Sequence, residues 1–380
     1  MAVSFHPPPR RILVRGVNWL GDAVMTTPAL IRLREKYRGA HITLLTPAKL
    51  RDLWQQHPAV DEVIGFDAGE GVLSVGRKLR AGKFDLALVL PNSPRSAIEA
   101  WLAHVPQRIG YARSWRNWFL TRAVPTRPGH VHMRKPTIRE IHLLIDDPRI
   151  STSGFKPPTT AHQIYEYLHL VAALGAGNEP APPSLVVAPA EVEAVSQKFG
   201  LLEALKAGRP LVGLNPGAEY GPAKRWPAAR FIAAAREIQE RTNCGWLIFG
   251  SKSDQAVANE IYSALRAPPS VLHNLAGRTS LRELMALLKL CRVLLTNDTG
   301  PMHVAAGLGT PVVVPFGSTS PELTGPGLPG DPRHRLLKSD ASCSPCFLRE
   351  CPIDFRCLTE IGSDRVVAAV LEAVQAGSGL

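Results

Sequence analysis

A chain of 380 residues exceeds the usual size of one hydrophobic core, so two domains are expected, and an apolar share of 45% supports a globular protein. No apolar run is long enough to cross a bilayer, and the start, MAVSFHPPPRR, carries prolines where a signal peptide needs its apolar stretch, so the expected location is the cytoplasm. The formal charge of +12, from 44 Lys and Arg against 32 Asp and Glu, points to an anionic partner such as nucleic acid, a lipid surface or a phosphorylated substrate.

In chain order, the first half reads as strands at 11–15, 41–46, 60–66 and 84–90, separated by helical stretches at 22–37, 50–56, 71–81 and 96–104. Strands spaced by helices argue for a parallel sheet with right-handed crossovers, hence an α/β class. Between Glu99 and Glu140 there is no acidic residue, yet eight Lys or Arg fall there, with Trp101, Trp115 and Trp118 interleaved. That run reads as a basic, aromatic face or as a merely solvated one. Residues 121–156 show little periodicity and read as loop or insertion. A helix follows at 160–174, then a Gly- and Pro-rich stretch.

The boundaries expected from this pattern are an N-terminal domain at 1–178, a linker at 179–189 and a C-terminal domain at 190–362. A last helix within 363–380 would pack back on the first domain. In the second domain, strands are expected at 211–214, 246–249, 271–275, 292–296 and 312–315, making another parallel α/β unit.

Three turns carry candidate chemistry. In LLTNDTGPMHVAAGLGTPVVVPFG, from Leu294, the polar turn Asn297, Asp298, Thr299, Gly300 leads into a helix in which Pro301 loses no needed N–H. The free amides of that helix, with His303 in its first turn, favour an anion beyond the strand's carboxyl end. Upstream, LVGLNPGAEYGPAKRWP places Asn215, Gly217, Lys224 and Arg225 after another strand, and Lys224 supplies a mobile point charge suited to phosphate. The first strand runs into Gly16 and on to Asp22, a carboxylate open to two roles, helix-terminal residue or general base.

No dinucleotide-type G-x-G-x-x-G follows the first strand, and there is no G-x-x-x-x-G-K-[ST], H-E-x-x-H, G-x-S-x-G or Asp-x-Asp. Phosphate handling then falls to amides and Lys224, with no cofactor needed for the chemistry. Cys343, Cys346, Cys351 and Cys357 give C-x2-C-x4-C-x5-C, which could hold structural zinc or an iron–sulfur cluster or stay reduced; reduced thiols are the expectation. A nucleic-acid partner is not expected, because no DNA-reading motif accompanies the basic run.

Over nearly its whole length the chain resembles glycosyltransferase family 9. The resemblance is carried by LGDAVMTTPAL at 20–30, LPNSPRSA at 90–97, PGAEYGPAKRWP at 216–227, FGSKSD at 249–254, NLAGRTSL at 274–281 and TNDTGPMHVAAGLGTPVV at 296–313. It implies a GT-B fold, two Rossmann-like parallel-sheet domains facing across a cleft, with ADP-heptose held by the C-terminal domain. It further implies inverting transfer to the inner core of lipopolysaccharide, as the second heptose, with ADP leaving; members differ chiefly in the core sugar they extend.

By the same resemblance Asp22 is the base and Lys224 meets the donor's phosphates. Asn215, Gly217, Ala218, Arg225, Gly250, Ser251, Gly277, Asp298, Thr299, Gly300 and His303 complete the donor site. Asn18, Asn92, Arg95, Arg113 and Arg116 are expected to face the lipid acceptor, and the basic stretch to serve the anionic cytoplasmic face of the membrane.

Overall fold

The computed structural model describes residues 7–147, 156–265 and 272–376. The chain divides into two compact units, one of residues 1–130 with 160–186, the other of 131–159 with 187–380. The first unit holds a six-stranded parallel sheet of β1 (Arg11–Arg15), β2 (His41–Pro47), β3 (Glu62–Phe66), β4 (Leu86–Val89), β5 (Gln107–Tyr111) and β6 (Arg122–Val124), in the order β3-β2-β1-β4-β5-β6. The second contains β7 (Leu211–Asn215), β8 (Gly245–Ile248), β9 (Leu272–Asn274), β10 (Val293–Thr296), β11 (Val312–Pro315) and β12 (Arg335–Leu337), in the order β12-β11-β10-β7-β8-β9. Both are the same arrangement, in which the strand order reverses beside the first strand of the unit. That reversal opens a crevice at the carboxyl ends of β1 and β4 in one unit and of β7 and β10 in the other.

Central strands are apolar on both faces, as a parallel sheet covered by helices requires. Every residue of β4, β7, β8, β10 and β11 is buried. The expected α/β class is therefore what the chain adopts, but several boundaries differ. Strands β5 (QRIGY), β6 (RAV) and β12 (RLL) are additional; β6 and β12 are short sheet edges, and all three carry polar residues that mask a strand signal. The helix expected at 22–37 is two, Leu20–Met25 and Thr27–Lys36. Pro28 cannot donate into the turn before it, and the Thr26 and Thr27 hydroxyls bond back to the carbonyls of Ala23 and Val24.

The stretch 50–56 forms a 3-10 helix at Ala48–Trp54. Residue 271 of the strand expected at 271–275 lies outside the described residues, as do 148–155 of the expected insertion and the first six residues of the chain.

The expectation that 121–156 is loop or insertion is corrected for its described residues, which are not simply loop. They contain β6 and the helix Ile138–Asp146, which opens with a capping box: Thr137 accepts from the amide of Glu140, whose carboxylate accepts from the Thr137 amide. Ile141 on this helix joins the hydrophobic core of the second unit beside Val212, Trp226 and Phe231. Residues 131–159 thus belong with the second unit, although they precede the end of the first. The helix Ser363–Ala376, expected to reach back to the first domain, places Val366, Val367, Val370 and Val374 in the second unit's own core.

Candidate active site

In the second unit, β7 and β10 are parallel neighbours in register, with Thr296 beside Asn215. Both strands therefore end at one level, and the loops that leave them meet. Asn215 Nδ2 donates to Thr296 Oγ1 at 3.1 Å, Asn297 Nδ2 to the Pro216 carbonyl at 2.7 Å, and the Trp226 amide to Asn297 Oδ1 at 2.9 Å. Asn297 is fully buried, so these bonds are shielded from water and lock the 216–227 loop to the 297–300 turn. Trp226 anchors the far end of the loop in the core, its indole N–H donating to the Ile361 carbonyl.

On this frame Lys224 Nζ lies 2.6 Å from Asp298 Oδ2, with the two side chains 14% and 5% exposed. The Thr319 hydroxyl donates to the same carboxylate oxygen. Asp298 is thus held from two sides and directs a flexible lysine to a fixed spot. The helix Gly300–Gly307 begins one residue beyond the extended Thr299, with Pro301 in its first turn. Pro301 has no N–H and the Met302 amide donates to the Thr299 carbonyl at 3.0 Å, so it is the helix's positive end beside the lysine that suits the locale to an anion. His303 is buried in that first turn.

The remaining donor candidates gather next to β8. Asp254 is the organiser: Ser251 donates to it through both amide and hydroxyl, Arg225 approaches within 3.9 Å, and Gly217 packs directly on it. A Cβ on Gly217 would stand 2.4 Å from the Asp254 carboxyl carbon, so any larger residue must displace that carboxylate. Arg225 also donates to the Ala218 carbonyl, and the Gly277 amide to that of Gly250. Asn297 and Asp254 fall within stretches that the sequence singles out but receive no role there, and Thr319 is not singled out at all. The S-x-x-D spacing from Ser251 is a capping signal for Asp254, whereas nothing in the local sequence marks Thr319 as a partner of Asp298.

A cavity of about 700 Å³ in the same unit is bordered by Pro210, Leu211, Arg292 and Pro311. It lies at the amino ends of the strands, the opposite edge of the sheet from these loops.

In the first unit, β1 leads through Asn18 into the helix that carries Asp22 in its first turn. Asp22 Oδ1 accepts from Gln163 Nε2 at 3.3 Å, and Gln163 in turn donates to the Tyr167 hydroxyl at 2.8 Å. Burial, then the Asp22 carboxylate, holds the Tyr167 phenol well above its ordinary pKa, so it stays protonated. Glu99, fully buried, accepts from Arg15 Nε at 2.7 Å and Arg95 Nε at 2.8 Å, and Arg15 also reaches Asn18 Oδ1 at 3.1 Å. This network gathers Asn18 and Arg95.

Arg116 donates to Asn92 Oδ1 at 3.2 Å and is fully buried, its Nε and Nη2 without hydrogen-bond partners. Burial, aided by Arg113, pushes its pKa down to about 10. Arg113 itself serves its own loop, donating to the Ala112 carbonyl and to Thr126.

The basic run is accordingly less of a face than its sequence suggests. Arg108 donates to backbone carbonyls, Arg127 pairs with Glu166, and Arg134 pairs with Glu140. Arg134, Lys135 and Arg139 are exposed, as are Trp115 and Trp118, at 80% and 85%.

The four clustered cysteines line one small void with Ile353 and Pro352. Burial raises the thiols of Cys343 and Cys357 to about 11 and about 12 and raises that of Cys346, which favours neutral thiols at pH 7. Among the described residues, no group of three or more His, Cys, Asp or Glu side chains is set to hold a metal ion. No helix of the described residues is long and apolar enough to cross a membrane.

The model of glycosyltransferase family 9 (heptosyltransferase) matches residues 72–355. The chain belongs to this family. It is 33% identical over 328 residues to the lipopolysaccharide heptosyltransferase 2 of Salmonella typhimurium, covering 83% of this chain and 85% of that one. A solved ADP-heptose lipopolysaccharide heptosyltransferase II of E. coli superposes with a TM-score of 0.74 at 29% identity, over 97% of this chain and 100% of that one. A family 9 glycosyl transferase of Veillonella parvula shares the fold, with a TM-score of 0.76 at 24% identity and 97% coverage of each chain. The protein is therefore a glycosyltransferase of the GT-B architecture, built on the two Rossmann-like units described above.

Proposed function

We propose that this family 9 enzyme transfers L-glycero-D-manno-heptose from ADP-heptose to the inner core of lipopolysaccharide, adding the second heptose to a heptosyl-Kdo-lipid A acceptor. The observation that carries this reading is the identity of 33% over 83% of the chain to a relative named for that activity. The Lys224–Asp298 pair supports it: a cation beside a helix N-terminus at the β7/β10 crevice is what a diphosphate needs.

In this reading Asp22 takes the proton of the acceptor hydroxyl as its oxygen attacks the anomeric carbon, and the bond from that carbon to ADP breaks. Lys224 and the amides of Thr299 and Gly300 receive the charge that develops on the departing diphosphate. Asn215, Gly217, Ala218, Arg225, Gly250, Ser251 and Gly277 shape the donor's place, and Asp298 and His303 meet its sugar once Lys224 turns to phosphate. Asn18, Asn92 and Arg95 lie on the acceptor side.

Arg116 acts there by holding Asn92, and Arg113 by shaping the loop that presents Trp115 and Trp118. Those exposed indoles suit the headgroup level of the cytoplasmic membrane face, where the lipid acceptor resides.

The test is ADP release on mixing the protein with ADP-heptose and heptosyl-Kdo2-lipid A, with the product checked by mass spectrometry. The expected outcome is acceptor-dependent ADP release and a mass gain of one heptose. Asp22→Asn is expected to lower kcat about 10²- to 10⁴-fold while ADP still binds. Transfer to an acceptor lacking the first heptose, at an equal rate, would overturn the acceptor assignment.

A further inference from the structure

The 216–227 loop contains one aromatic residue to which the reaction so far gives no part, Tyr220. Three cations from three separate stretches of chain surround its ring: Lys224 Nζ lies 4.8 Å from the centroid, Arg349 Cζ 5.4 Å and Lys135 Nζ 5.9 Å. The ring is itself clamped. Its hydroxyl donates to the Phe347 carbonyl at 2.7 Å, its own carbonyl accepts from Arg349 Nε at 2.7 Å, and the Ala223 amide donates to the Arg349 carbonyl at 3.0 Å.

Gly221, at φ 152°, makes the close approach feasible, because a Cβ there would lie 2.5 Å from the Arg349 oxygen. The same cysteine-rich segment reaches the other partner of Lys224 as well. The Phe347 amide donates to the Ser318 carbonyl, and the next residue, Thr319, bonds Asp298.

A lysine ammonium on a four-carbon stem has many rotamers, and one carboxylate fixes it only while the two remain paired. A diphosphate must draw the ammonium away from Asp298, and at that moment the face of a clamped aromatic ring still attracts it. We propose that Tyr220, held by Phe347 and Arg349 of the cysteine-rich loop, is a positioning residue that keeps Lys224 aimed at the donor's diphosphate. The inference rests on the reading of Lys224 as the lysine that meets those phosphates. It also gives the loop of 343–357 a task in the reaction.

Calorimetric binding of ADP and the transfer assay, on the full chain, decide it. Tyr220→Leu removes the ring and is expected to raise both the Kd for ADP and the KM for ADP-heptose about 3- to 30-fold, leaving the acceptor KM within about twofold. Tyr220→Phe keeps the ring and is expected to restore most of that loss. On a Lys224→Ala background, Tyr220→Leu is expected to change ADP binding less than twofold or so, since the residue acts through the lysine.

An undiminished effect on that background, or ADP binding by Tyr220→Leu equal to that of the parent, would overturn the proposal. Should the parent bind no ADP, the functional reading fails on its own. The positioning role is then decided by acetylation of Lys224, followed by peptide mass, which loss of the ring is expected to speed and which an unchanged rate would refute.

Discussion

The two units share one strand order yet fill the crevice at their strand reversals in opposite ways. Beside β1 and β4, charge is consumed internally: Glu99 is buried between Arg15 and Arg95, and Arg116 is sealed behind Asn92. Beside β7 and β10, one lysine meets one carboxylate near a helix N-terminus, the pairing proposed above to open to an incoming anion. The lesson is that like topology fixes where a ligand can sit, while the pairing of charges decides whether the spot is scaffold or reactive surface. Desolvated pairs resist exchange, because breaking them strands a charge in a low dielectric; Asp298, itself buried, keeps the Thr319 hydroxyl as a donor when the lysine turns to another anion.

Substitution of the buried carboxylate tests the scaffold half of that contrast. Glu99→Ala leaves Arg15 without its partner in the core and is expected to destabilise the protein by about 3–5 kcal/mol, read as a lowered urea midpoint. An unchanged midpoint would mean that the network is ornamental. The exchangeable half predicts a different failure: Lys224→Ala should lower kcat about 10²- to 10³-fold, with the acceptor KM within about twofold. If stability collapsed in the lysine variant and turnover in the glutamate variant, the roles given to the two crevices would be reversed.

A smaller effect should fall on both units alike, since each buries a neutral histidine. Burial lowers His57 and His334 from 6.5 to about 4; His57 Nε2 lies 3.2 Å from the Ser184 carbonyl, and Asp331, 3.8 Å from His334, offsets part of its shift. Folded pKa values below the unfolded one mean stability that is complete above pH 6.5 and is lost as pH falls toward 4. Each histidine is expected to cost about 2 kcal/mol between pH 7 and pH 5. Urea midpoints at the two pH values check this, and a His57→Gln, His334→Gln double variant should flatten most of the slope.

How much could be read without coordinates follows from where the information resides. Strands β1, β7 and β10 and the turns after them were legible because a run of apolar residues ending in glycine or an Asn-Asp turn is a local signal. Lys224 and Asp298 were each visible as candidates, but their 2.6 Å pairing is a product of register between β7 and β10. The Arg15–Glu99 pair spans 84 positions, and no pattern in either neighbourhood announces it. The helix Ile138–Asp146 was legible in principle, through T-x-x-E and the apolar spacing that buries Ile141 and Leu144, but the surrounding Pro, Arg and His obscured it. Its allegiance to the second unit was not, because chain proximity argues for the first.

That helix has a topological consequence. The chain crosses between units at 130/131, at 159/160 and again at 186/187, so a single cut cannot part them. A fragment beginning at residue 187 would lack the wedge that Ile141 drives into its core, a loss of about 1.5–3 kcal/mol from that side chain alone. A synthetic peptide spanning 131–147, added in trans, should recover part of it, which makes this short helix a detachable keystone.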